Sequence, residues 1–198
     1  MNKVLLLLLL FSLLIISCDN KEKSNQLVKK ANGIFNNSKL DNKIRFDSSL
    51  SVIDKAIQLN ENNFRAYETK FSISSEKKDI DGMFESSSKL IELRPNQPYW
   101  KLKKGFVLEL KNQPKKANQY YLKSIKDYEN LFKKDSISFD LKLEYITALR
   151  IINNKEKADS ILSKMTTEYK SKTQKQILQF YKNDTLTKEK VIKMWKSS

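Results

Sequence analysis

The chain has 198 residues, 39% hydrophobic and 31% charged, with a formal net charge of +15, no histidine and one cysteine. That length and composition suit one soluble domain or a short repeat array. The missing residue types exclude Ser-His-Asp and Cys-His catalysis and the usual zinc ligand sets, and three isolated glycines, Gly33, Gly82 and Gly105, cannot build a phosphate-cradling loop.

Lys3 is followed by VLLLLLLFSLLII, thirteen positions interrupted only by Ser12. The run is too short to span a bilayer comfortably and has the make-up of a signal-peptide core. It ends on IISC at 15–18, a small residue and then the cysteine. This stretch resembles the lipobox of bacterial lipoproteins. The resemblance implies that residues 1–17 are a signal peptide, that Cys18 is lipidated and heads the mature protein, and that the protein is held at a bacterial membrane in the cell envelope. The alternatives are an ordinary secretory signal with a chance cysteine and an uncleaved anchor helix; a lone thiol without a disulfide partner favours lipidation.

Residues 19–24, DNKEKS, hold no apolar side chain, so 18–24 reads as a lipidated tether. From Asn25, the spacing of Leu27, Val28, Ala31, Ile34 and Phe35 predicts a helix to about Asn36. NNSKLDN breaks it, because Asn and Ser side chains bond their own backbone and favour turns. Ile44, Leu50, Ile53 and Ile57 mark a second helix. Phe64 opens a central unit with Tyr67, Phe71 and Ile73 on its first helix and SEKKD as its turn. Ile80, Met83, Phe84, Leu90, Ile91 and Leu93 lie on its second helix, which Pro95 and Pro98 end.

Tyr99, Leu102, Phe106 and Leu110 stripe the next helix, KNQP at 111–114 is a turn, and Ala117, Tyr120, Tyr121, Ile125 and Tyr128 follow on another helix. LFKKDSIS then adds a seven-residue spacer before Leu141, Tyr145, Ala148 and Leu149 on one helix and Ile161, Leu162 and Met165 on its successor. Two short helices finish the chain, the second capped by Thr187. No stretch alternates polar and apolar residues as a strand would, so the fold class is all-α.

An internal echo organises these helices. Ile57, Ile91 and Ile125, and likewise Asn62, Asn96 and Asn130, stand 34 residues apart. NQPKKA and NNKEKA, at 112–117 and 153–158, are 41 apart, the same period lengthened by the spacer. A fixed period of this size signals a repeat array rather than one globule.

The period resembles that of the tetratricopeptide family, whose 34-residue helix-turn-helix unit carries small residues where its helices cross. Ala56, Gly105, Ala117, Ser124 and Ala158 fit the small positions, Tyr67 and Tyr121 the aromatic ones, and Pro95 the unit-ending proline. Phe71, Met83 and Leu90 replace the family's Gly or Ala, and Lys104 replaces an apolar residue. The resemblance covers about 30–171. It implies TPR-like repeats stacked as a short α-solenoid over 25–171, closed by capping helices over 172–198, with a concave face offered to a peptide or helix of another protein. The family's Lys and Asn carboxylate clamp is not matched, since Glu68 and Ser72 occupy those positions.

Tyr99, Leu102, Phe106 and Leu110 fit either a partner groove or a packing face. Spacings of three and four make the packing face the first reading, and the partner-binding residues stay unassigned. DID at 79–81 is the nearest approach to paired catalytic carboxylates, but its place at a helix start makes capping the simpler role. No catalytic residue, cofactor or metal site is expected, and the aromatic and basic residues interleave in no nucleic-acid motif.

Charge is uneven: residues 18–98 hold 14 Lys/Arg against 12 Asp/Glu, residues 99–198 hold 23 against 11. The sequence therefore supports an envelope lipoprotein that scaffolds protein partners. The alternative is an accessory protein whose basic C-terminal half binds anionic lipid headgroups or envelope polysaccharide.

Overall fold

A computed structural model describes residues 3–133, 137–183 and 187–197, with residues 3–18 described by backbone alone. Residues 134–136 of the expected spacer, the turn 184–186 and both chain ends lie outside the described residues. So does the Cys18 side chain, on which the lipidation expectation falls.

Among the described residues the fold is all-α. Its helices are α1 (Lys3–Phe35), α2 (Asn42–Leu59), α3 (Phe64–Glu76), α4 (Ile80–Leu93), α5 (Pro98–Leu110), α6 (Pro114–Phe132), α7 (Phe139–Ile151), α8 (Lys155–Glu168), α9 (Lys172–Asn183) and α10 (Lys188–Ser197). No helix among the described residues is long and apolar enough to cross a membrane. The chain divides into two compact units, Met1–Leu93 and Arg94–Ser198.

The same turn recurs in three of the helix hairpins. Lys78, Asn112 and Asn153 have positive φ of 59°, 56° and 61°. The amide of the next residue donates back into the preceding helix each time: Asp79 to the Ser74 carbonyl at 2.8 Å, Gln113 to Leu108 at 2.9 Å, and Asn154 to Leu149 at 2.8 Å. One left-handed residue thus satisfies a helix-end carbonyl, as in a Schellman turn. These residues stand at the 34- and 41-residue spacings of the echo, so the period is a period of hairpins.

In the first unit α1 packs on α2 and α3, and α3 on α4. Val28, Ala31, Ile53, Ala56, Ala66 and Ile73 form the buried cluster. The stretch 19–24, expected as part of an unfolded tether, is helical within α1. It holds neither Gly nor Pro, Asp19 pairs with Lys23 one turn on at 2.6 Å, and Ser24 is fully buried. The Ser24 hydroxyl donates to the Ala56 carbonyl at 2.7 Å and accepts from Asn63 Nδ2 at 2.8 Å. Asn63 also caps α3 by accepting from the Ala66 amide at 3.3 Å.

The expected small positions Ala56, Gly105, Ala117, Ser124 and Ala158 are all buried. In the α3–α4 hairpin, where Phe71, Met83 and Leu90 depart from the family pattern, those three side chains fill the interior and the close approach shifts elsewhere. A Cβ at Gly82 would run into Ser74, and Ser86 and Ser87 are also fully buried. Asp79 caps α4, its Oδ1 accepting from the Gly82 amide at 3.0 Å, which is the capping role expected for the DID stretch.

In the second unit α5 packs on α6, α6 on α7, α7 on α8 and α8 on α9, while α10 returns to α5. The helix α6 runs on through Leu131 and Phe132, the first residues of the stretch expected as a spacer, because no proline follows it as Pro95 follows α4. Its last residue has work to do: the Phe132 ring lies 4.8 Å from that of Tyr145.

Candidate groove of the second unit

Each of two helices turns one regular stripe toward a common space. Tyr99, Leu102, Lys103 and Phe106 share a face of α5, and Asp140, Leu143, Glu144, Thr147 and Ile151 share a face of α7, by spacings of three and four. With Tyr181 of α9 and Val191 of α10 they line a groove of about 460 Å³. Its apolar lining comes from Leu102, Phe106, Leu143, Ile151 and Val191, and its polar lining from Lys103, Asp140, Glu144 and Thr147.

The α5 stripe does not share one environment. Tyr99, Leu102 and Phe106 line the groove, whereas Leu110 is buried outside it. The opposite face of α5 is buried too, through Trp100, Val107 and Leu108 and through Lys104, which is 3% exposed. Burial, with Lys111 adding like-charge repulsion, lowers the Lys104 ammonium to a pKa of about 7. At Gly105 a Cβ would run into the Tyr121 ring, so α5 and α6 touch where only hydrogen fits.

A reciprocal pair of bonds sets the α7 wall. The Tyr128 hydroxyl donates to Glu144 Oε2 at 3.0 Å, and the Tyr145 hydroxyl donates to Glu129 Oε1 at 3.3 Å. The two tyrosine rings stack at 5.5 Å, and Lys157 Nζ donates to Glu129 at 2.6 Å. Burial pushes the Glu144 carboxyl above its ordinary range; the Tyr128 bond pulls it back, Asp140 pushes it up and Lys103 pulls it down. Burial and then the Glu144 charge also push the Tyr128 phenol up.

The α9 wall is held by Arg150. Its guanidinium donates to the Tyr181 carbonyl at 2.7 Å, lies 5.9 Å from the Tyr181 ring and reaches Asp159 of α8 at 3.7 Å. At the α10 end Lys188 pairs with Glu109 at 3.0 Å, and Trp195 meets Phe106 edge-on with centroids 6.3 Å apart.

Two carboxylates and one ammonium line this groove in a chain of net charge +15. Lys103 rests over the Tyr99 ring at 5.0 Å, and Asp140 is exposed without an ion pair among the described residues. Such a surface can bury apolar side chains and attract a basic one. Among the described residues no three acidic or thiol side chains converge as a metal ion would require.

Sequence reasoning missed the α7 wall and the return of α10. The i, i+4 pair Asp140 and Glu144 beside Leu143 was a visible signal for the wall. No family model matches the chain, and no curated protein matches it. Among the described residues, fold and groove define an all-helical protein with a mainly apolar cleft in its second unit.

Proposed function

We propose that the protein is an envelope lipoprotein, anchored through lipid on Cys18, that scaffolds protein partners without catalysing a reaction on them. In this reading the hairpins are TPR-like repeats stacked as a short α-solenoid, with 172–198 at its closing end. The observation that carries the scaffold reading is the cleft between α5 and α7, whose lining combines apolar side chains with Lys103, Asp140 and Glu144, the kind of surface a bound peptide or helix buries. The IISC motif after its apolar run carries the anchor.

Purification from detergent-solubilised envelopes tests this. Partners should co-purify with the natural chain and be lost from a Tyr99→Ala, Lys103→Glu variant, and mass spectrometry should find an acylated Cys18 at the amino terminus. Equal recovery of the same partners with both proteins contradicts the groove reading; an intact Met1 contradicts the anchor.

A second reading, of affinity for anionic headgroups, draws on one patch. Lys170, Lys172 and Lys175 line a shallow depression at the start of α9, and Phe180, 65% exposed, lies two turns along the same face as Lys172. Basic side chains with one apolar residue favour an anionic membrane surface, each lysine by about 1 kcal/mol. Salt-sensitive binding to anionic but not neutral liposomes is the expected result. Its absence at low salt would mean that the basic C-terminal half reflects composition.

A further inference from the structure

One side of the groove is closed by the chain's own last helix, through Val191, and the chemistry of that helix indicates what else fits there. We infer that the groove binds a basic amphipathic helix of a partner protein, and that α10 is an internal stand-in for it. This rests on the reading of the cleft as the docking face.

Three observations converge. Lys188, Val191 and Trp195 form one stripe of α10, at spacings of three and four, and that stripe faces α5: Lys188 pairs with Glu109, Val191 lines the groove, and Trp195 packs against Phe106. Charge is matched at one point: α10 carries four lysines against one glutamate, and its Lys188 pairs with Glu109 of α5, a residue outside the groove lining, while the lining itself holds two carboxylates against one ammonium. The Glu109 side chain is only 10% exposed, so Lys188 serves a carboxylate withdrawn from water.

The fit is also incomplete. No residue of α10 is fully buried, and Met194 remains 48% exposed. Ten residues do not sustain a helix alone in water, so α10 is ordered by this limited contact. Asp140, on the α7 wall, has no ion-pair partner among the described residues. A longer helix with the same order of basic, apolar and aromatic residues would keep the α5 contacts and bring a further lysine or arginine to Asp140. It would therefore displace α10 rather than bind beside it.

The test uses the full chain and a fluorescent peptide with the sequence of residues 187–198 as probe. In a Lys188→Glu, Trp195→Ala variant, whose changes lie on α10 and leave the cleft intact, the probe should bind at least about tenfold more tightly than to the natural chain, because the tethered competitor is weakened. Trp195→Asp alone should act the same way and guards against one variant failing to fold, with circular dichroism reporting helix content. Adding Asp140→Lys to the released variant should weaken the probe several-fold, and a probe with its lysines changed to glutamate should not bind.

Absence of probe binding to both released and folded variants overturns the inference, as does equal binding of the acidic probe. Concentration-dependent dimerisation through α10 would make the occupant a second copy and overturns it too. Failure here with partners still lost from the Tyr99→Ala, Lys103→Glu variant leaves the scaffold reading standing; equal partner recovery contradicts that reading itself.

Discussion

Tyr128 holds Glu144 across the α6–α7 contact by a 3.0 Å hydrogen bond, so a tyrosine outside the groove orients a carboxylate that lines it. Tyr128→Phe removes the donor and should cost about 1–2 kcal/mol of stability, the usual penalty for leaving a half-buried acceptor unmatched. It should also raise the Glu144 carboxyl further, because the lost bond was opposing burial. A folded-state value above the unfolded one means this group's stabilising contribution is fullest at low pH and is lost as pH rises through the folded value. The variant should lose it over a window extending higher. Nuclear magnetic resonance titration of Glu144 measures this, and an unchanged titration contradicts the coupling.

Lys104 gives the opposite sign. Its folded pKa of about 7 lies below the ordinary 10.5, so between those values the unfolded chain binds more protons and stability rises with pH. Lys104→Met should remove that slope. Urea unfolding should show a gain on the order of a few kcal/mol at pH 6.5, shrinking toward pH 10, since each tenfold difference in proton affinity between the two states is worth about 1.4 kcal/mol. A pH-independent difference between the two proteins contradicts a buried ammonium.

Two helix glycines should respond in opposite ways to alanine. Gly33 has nothing within 4 Å of a new Cβ, so Gly33→Ala should gain about 0.5–1 kcal/mol from helix propensity alone. Gly105→Ala should lose about 1–3 kcal/mol despite the same propensity gain, because its Cβ meets the Tyr121 ring in a packed contact. Thermal unfolding of both variants checks this, and gains at both positions contradict the close α5–α6 crossing.

The recurring turn makes a smaller prediction. Asn112 and Asn153 suit the left-handed conformation, whereas Lys78 adopts the same φ of 59° at greater cost. Lys78→Asn should stabilise by about 0.5–1 kcal/mol, read as a rise in melting temperature. No rise would mean that the turn carries no strain at 78.

The helices and their period were legible because local forces set them. The N-cap side chains Asp41, Asn63, Ser138 and Asn154 and the prolines at 98 and 114 mark starts that need no tertiary information. The helical state of 19–24 was not legible, because its order depends on Ser24 finding the Ala56 carbonyl 32 residues away. That Tyr99 and Phe106 share a cleft with Leu143 and Glu144 depends on where α7 lies, which spacing within α5 does not contain. The return of α10 to α5 depends likewise on the long-range match of Lys188 to Glu109.

Partner docking in the groove is the central claim, and photo-crosslinking in intact cells tests it most directly. A photoreactive residue replaces Tyr99 at the groove in one strain and Leu122, 51% exposed on α6 and not among the groove residues, in another. A discrete adduct with a second protein is expected from position 99 and none from position 122. Adducts from 122 alone, or the same adduct from both positions, would contradict it.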